Sequence, residues 1–153
     1  MSIHYQALFE SAPEGGFVVT FPDLGHGATQ GETEAEAMEM AADFLACVVS
    51  DYLFEGTALP EARMRRGKHY RRVSLPALPA AKIELHKAFV ASGIRKTELA
   101  GRLGIPKSNV DRLFDVNHSS RLEHLDAAFA ALGKQLVIQV ARRPDAGRNP
   151  PVA

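Results

Sequence analysis

The sequence predicts an α+β protein in two parts: a β-β-β-α-β domain over residues 1–78 and an all-α domain over 79–141. A closing strand is expected near the end of the second part, with a tail at 142–153. Three observations predict this. Up to about residue 31, short apolar runs rich in aromatic and β-branched residues are separated by Pro/Gly turns. From Thr33 onward, apolar residues recur every three or four positions. Two prolines within Pro76-Ala77-Leu78-Pro79 then interrupt the chain, and beyond them short helical periods follow one another.

Taken in order, residues 3–10 (IHYQALFE) read as a strand and Pro13-Glu14-Gly15-Gly16 as a tight turn. Phe17-Val18-Val19-Thr20-Phe21 is a second strand, closed by Pro22-Asp23-Leu24-Gly25, and Ala28-Thr29-Gln30 a short third. Thr33 stands three residues before Glu36, the spacing at which a threonine hydroxyl and a glutamate cap a helix start reciprocally. Met38, Ala41, Leu45, Val48 and Tyr52 define the buried face expected of a helix over 34–54, with Gly56 as its stop. A basic connector (Arg63, Arg65, Arg66, Lys68) leads to a fourth strand, Tyr70–Leu75. Helices follow at 82–92, 96–103, 106–115 and 121–132. Lys134–Val140 (KQLVIQV) alternates as a strand does, and the Pro, Gly and Arg of 143–153 predict disorder.

The formal net charge is zero, with 18 Lys and Arg against 18 Asp and Glu, and that balance conceals a division. Met1–Ala62 holds eleven acidic residues and no Lys or Arg; Arg63–Ala153 holds all the basic residues and the remaining seven acids. The two stretches therefore carry about −11 and +11. Such asymmetry suits a polyanion on one half and a basic partner on the other, and it equally suits two halves that attract each other. The single cysteine, Cys47, excludes an internal disulfide framework and fits a reducing compartment. No apolar run approaches bilayer-crossing length and the N-terminus lacks the pattern of a signal peptide, so the expectation is a cytoplasmic protein without a membrane role.

The strongest motif is Lys96–Leu113, KTELAGRLGIPKSNVDRL. Ala100 is small where two helices cross, Gly104 supplies a left-handed turn, Ile105 plugs the space between the helices, and Pro106 begins the next one. Leu99, Leu103, Val110 and Leu113 provide apolar contacts. The arrangement resembles the helix-turn-helix of the phage-repressor type, with flanking helices at 82–92 and 121–132. That resemblance makes 106–115 the recognition helix, with Lys107, Ser108, Asn109 and Arg112 exposed toward a major groove. Asparagine pairs well with adenine and arginine with guanine, so Asn109 and Arg112 are the base-reading candidates. Lys96, Thr97, His118, Ser119, Ser120 and Arg121 lie near helix starts or in the following loop, where phosphates are met. The competing reading of each is a solvated surface residue.

Gly15-Gly16-Phe17-Val18-Val19, Phe21-Pro22-Asp23-Leu24, Gly31-Glu32-Thr33 and Glu36-Ala37 resemble the HicB antitoxin family. Arg112-Leu113-Phe114-Asp115, His118-Ser119-Ser120 and Ala131-Leu132-Gly133-Lys134 resemble its variant with a C-terminal helix-turn-helix. The resemblance spans nearly the whole chain. It implies a partial RNase H-like N-terminal domain that binds and blocks HicA, a small basic mRNA-cleaving toxin, and a DNA-binding domain that represses the antitoxin's own operon. Asp23, Glu32, Glu34 and Glu36 are the candidate toxin contacts; the three glutamates equally suit the positive end of a helix dipole. A repressor of this kind is expected to act as a homodimer or higher even oligomer, with Leu136, Ile138 and Val140 pairing across a dyad.

An enzymatic role is not expected. Metal-dependent phosphoryl chemistry needs carboxylates converging on one point, whereas most acids here lie along one helix and fan out around it. His4, His26, His69, His86, His118 and His124 lack metal-ligand spacing, Cys47 has no partner thiol, and no phosphate-binding loop is present, so neither metal nor cofactor is expected. The rival reading is a one-component transcriptional regulator whose N-terminal domain senses a small ligand.

Overall fold

The computed structural model describes residues 3–25 and 27–142. Strands β1 (His4–Ser11), β2 (Phe17–Thr20) and β3 (Thr29–Gly31) precede helix α1 (Glu34–Phe54), which is followed by strand β4 (Tyr70–Ser74) and helices α2 (Ala77–Ser92), α3 (Lys96–Leu103), α4 (Lys107–Phe114) and α5 (Leu122–Ala131). The mixed α+β class is as expected. The expected disordered tail, 143–153, lies outside the described residues, as does His26.

The chain divides into two compact units, one built from residues 3–48 and 58–76, the other from 49–57 and 77–140. In the first, the four strands form an antiparallel sheet in the order β3-β2-β1-β4. Leu8 faces Thr20 across one ladder and Tyr70 across the other, so β1 is hydrogen-bonded on both sides. Tyr5, Ala7 and Phe9 of β1, Val19 of β2 and Val73 of β4 are buried at the alternate positions that a half-covered strand dictates.

The cap of α1 forms with a difference of one residue. The Thr33 hydroxyl accepts the Glu36 amide at 3.1 Å, but the Glu36 carboxylate takes the amide of Glu32, at 3.0 Å, one position before the cap. The buried stripe of α1 is Ala37, Ala41, Leu45 and Val49; Met38, Val48 and Tyr52, expected on the buried face, are only half-buried. The reason is Gly31. A Cβ placed on it would stand 2.4 Å from the Ala37 amide nitrogen, so β3 and the first turn of α1 touch backbone to backbone. That contact needs the smallest side chains on both partners and sets the helix phase.

The second unit packs α2–α5 around Leu85, Leu99, Ala100, Val110, Leu113, Phe114, Leu125, Ala128 and Phe129. Helix α2 begins at Ala77, not at residue 82. Pro79 falls in its first turn, where an absent amide hydrogen leaves no intrahelical bond unmade. Leu78 and Ala81 there pack on the core. The expected closing strand does not form among the described residues: 134–140 have no strand partner there, and Val137, Ile138 and Val140 are exposed. His86 is buried with its ring 4.4 Å from that of Phe54 and 5.4 Å from that of Phe114.

Gly31→Ala should cost about 2–3 kcal/mol in urea unfolding, because the added methyl meets backbone and not a yielding side chain; an unchanged midpoint contradicts the contact. Burial, aided by the Lys96 charge, holds His86 below its ordinary value of 6.5. The neutral ring is the folded form, so its contribution is complete above that value and declines as pH falls through the lower folded pKa. Amide protection factors in α2 and α4, exchange rates taken relative to the unfolded chain at the same pH, should fall on acidification, and less so in His86→Phe.

Candidate functional site

The α3–α4 pair carries the best-defined candidate site. Gly104 caps α3 at φ 65° and ψ 33°, a conformation that a Cβ would strain, and its amide donates to the Ala100 and Gly101 carbonyls. Ile105 donates to Ala100 as well, at 3.1 Å, and Pro106 then stands as the cap of α4 with an extended backbone. On α4, Val110, Leu113 and Phe114 are buried, while Lys107, Ser108, Asp111 and Arg112 are exposed and Asn109 half-buried. Thr97, His118, Ser119 and Arg121 are exposed too. The result is a short helix seated by three apolar side chains that presents hydrogen-bonding side chains outward.

Two of the expected phosphate contacts are already engaged. The Lys96 ammonium lies 2.7 Å from the Asp111 carboxylate and 6.0 Å from the centre of the Phe114 ring. The hydrogen bond from Lys96, with the charges of Lys96 and Lys107, holds the Asp111 carboxyl below its ordinary range. Ser120 accepts a hydrogen bond from the Lys82 ammonium at 2.8 Å. Neither Asp111 nor Lys82 was among the residues expected to matter. Lys82 had a signal in the sequence, since it occupies a core position in the stripe Leu78, Lys82, Leu85, Phe89, where an apolar residue belongs.

The acidic candidates separate. Glu32, Glu34 and Glu36 gather at the start of α1, all exposed. Glu34 is 3.2 Å from Arg71 of β4, and Glu36 is occupied in the cap. Asp23 is different: its side chain is 5% exposed, and it takes the Arg65 guanidinium at 2.8 Å and the Arg63 amide at 2.9 Å. Burial alone would push this carboxyl up; the bonds from Arg63 and Arg65 outweigh it and hold the carboxyl below its ordinary range. Asp23 is thus a brace for the basic connector and not an exposed contact.

The charge division largely closes on itself. Residues 3–48 and 58–76 form one unit with nine acidic and six basic side chains, because the connector and β4 fold back onto the acidic stretch. The value of about −11 describes the linear sequence, not a surface. Among the described residues, no group of three His, Cys, Asp or Glu side chains is placed to hold a metal ion, and no helix is long and apolar enough to cross a membrane.

Asp23→Ala should lower stability by on the order of 1 kcal/mol, through a lost acceptor for two donors. Because the folded carboxyl is depressed, its contribution is present above the ordinary carboxylate range and lost as pH falls through the folded value. Urea midpoints of the two proteins should converge in acid; a constant difference from pH 7 to pH 3 contradicts the brace.

The family model for the HicB_like antitoxin of bacterial toxin-antitoxin systems matches residues 4–84. Antitoxin HicB of Escherichia coli (strain K12) is 39% identical over 134 residues, 88% of this chain and 96% of that protein. Antitoxin HicB 1 of Photorhabdus laumondii subsp. laumondii is 34% identical over 139 residues, 91% of this chain and 88% of that protein. A chain from a toxin-antitoxin complex of Streptococcus pneumoniae aligns with a TM-score of 0.43 at 20% identity, covering 71% of this chain and 93% of that one, a likeness too distant to bear on the fold. A family match over more than half of the chain, joined by relatives above 30% identity across most of it, places this chain in the HicB-like antitoxin family.

Proposed function

We propose that the chain neutralises a small basic, HicA-like mRNA-cleaving toxin by direct binding, and represses its own operon by binding operator DNA through a helix-turn-helix formed by α3 and α4. Family membership supports the first half. The observation that carries the second is the outward face of α4, where Lys107, Ser108, Asn109 and Arg112 stand over a buried Val110, Leu113 and Phe114. An α-helix presented this way fits a major groove, and Asn109 and Arg112 are the side chains suited to adenine and guanine edges. Thr97, His118, Ser119 and Arg121 flank that face as phosphate donors, with Ser120 and Lys96 joining once their present partners are shared or exchanged.

The toxin is assigned to the first unit, read as a partial RNase H-like domain. Glu32, Glu34 and Glu36 offer carboxylates to a basic surface, and Asp23 holds the adjoining connector. Such carboxylates govern encounter rate and specificity more than affinity. The operator-binding form is a homodimer or higher even oligomer. Segment 134–140 has no strand neighbour among the described residues and leaves Ile138 66% and Val140 93% exposed; together with Leu136 it suits pairing with the same segment of a second copy.

The direct test is co-expression with the small basic reading frame adjacent to this gene. Growth arrest by that frame alone, relieved on co-expression with formation of a stable complex, is the expected result; no arrest and no complex contradict it. The double replacement Asn109→Ala and Arg112→Ala should lose at least a hundredfold in operator affinity in gel shifts yet still relieve toxicity. Asp111→Asn should bind DNA several-fold more tightly, because it removes a carboxylate that competes with phosphate for Lys96. Ile138→Asp should sediment as a monomer and lose operator binding.

A further inference from the structure

We propose that Lys82 is the positioning residue for DNA recognition, its ammonium tying the end of α4 and the start of α5 into one rigid reading edge. The inference rests on the DNA-binding reading of α3 and α4 and adds to it a residue that never touches the duplex. Lys82 is 0% exposed, on the inward face of α2 beside Ile83, Leu85 and His86. Its Nζ donates three hydrogen bonds, each 2.8 Å long: to the backbone carbonyls of Arg112 and Asp115 and to the Ser120 hydroxyl.

Those acceptors share a meaning. The carbonyls of Arg112 and Asp115 lie at the C-terminal end of α4, where helix geometry leaves carbonyls without intrahelical donors and where the dipole favours a cation. Arg112 is also the side chain best suited to a guanine, so its own backbone is what Lys82 holds. Ser120 stands two residues before α5 begins. One buried cation therefore spans the connection from Asp115 to Ser120, which carries His118 and Ser119. Within that connection the Asp115 carbonyl also accepts the His118 amide at 3.1 Å, and the Asp115 carboxylate the Asn117 amide at 2.9 Å.

An apolar residue in this position would fill the stripe made by Leu78, Leu85 and Phe89 and would fold comparably, since a hydrophobic replacement for a buried charge is often neutral or stabilising. It could not orient carbonyls. Burial lowers the ammonium's proton affinity, opposed by the Asp115 charge. Three acceptors at hydrogen-bond distance use all three protons of the charged form. What Lys82 supplies is geometry: the angle between the last turn of α4 and the loop that meets the backbone of the same duplex.

The test uses the full chain and Lys82→Met, which keeps the stem and removes the ammonium. Operator affinity and affinity for unrelated duplex are measured across a salt series, with amide NMR spectra of both proteins. The expected result is at least a tenfold fall in the ratio of operator to unrelated affinity. The slope of log affinity on log salt should not change, because no phosphate contact is lost, and shifted amides should be confined to residues 112–121 and their neighbours on α2. An unchanged ratio overturns the proposal. So does a slope shallower by about one, which would make Lys82 itself a phosphate contact. Should the variant not fold, the unaltered chain still decides. An ammonium held by three acceptors and closed to water exchanges its protons slowly and gives its own nitrogen–proton signal, whereas exchange as fast as at surface lysines overturns the tie. Absence of operator binding by the unaltered chain, with that signal intact, overturns the DNA-binding reading and the recognition role of Lys82 with it.

Discussion

The pairing of β1 with β4 is the constraint on which the rest of the first unit depends. It joins Tyr5 to Val73 and Leu8 to Tyr70 across nearly the whole unit. Closing so long a loop costs chain entropy before any contact forms. The return of the chain then places the segment after α1 against the sheet. The Tyr5 hydroxyl donates to the Pro60 carbonyl at 2.6 Å, the Phe9 amide to His69 at 2.8 Å, and the Gln6 amide to the Met64 sulfur at 3.8 Å. With that segment in place, Arg65 reaches Asp23 and Arg71 reaches Glu34. A basic stretch that is remote in sequence becomes the internal counterion of an acidic one.

This closure changes how the charge of the molecule is understood. Linear bookkeeping suggests one strongly acidic and one strongly basic domain, each seeking an external partner of opposite sign. Folding offsets part of that opposition inside the first unit, where Asp23 takes Arg65 and Glu34 takes Arg71. The second unit is not strongly basic either: residues 49–57 and 77–140 hold nine Lys and Arg against eight Asp and Glu. Placement, not total charge, distinguishes its candidate DNA face. Lys107 and Arg112 point outward from α4, while Lys82 is turned wholly inward.

Much of this was legible in the sequence where the physics is local. The turn at Gly15-Gly16, the cap at Thr33 and the Gly104-Ile105-Pro106 corner are each determined by residues within a few positions of one another, and each forms close to where it was expected. What could not be read is what non-local contact decides. The phase of α1 is set by the close approach of Gly31 to Ala37, which periodicity along the helix alone does not reveal. Asp23 looked like a surface acid because Arg63 and Arg65 are forty positions away and more. The prolines near residue 78 suggested a break, yet Pro79 fits the first turn of α2. Residues 134–140 alternate like a strand, but a strand needs a neighbour, and the described residues supply none.

In the proposed function this HicB-like antitoxin captures a toxin through its sheet-bearing unit and leaves the α4 face to DNA. Calorimetric titration of the purified chain with the protein encoded by the adjacent small basic reading frame tests it most directly, repeated with operator DNA already bound. A saturable complex, formed in both titrations and weakened by added salt, is the predicted result. No binding heat in the absence of DNA would contradict the claim.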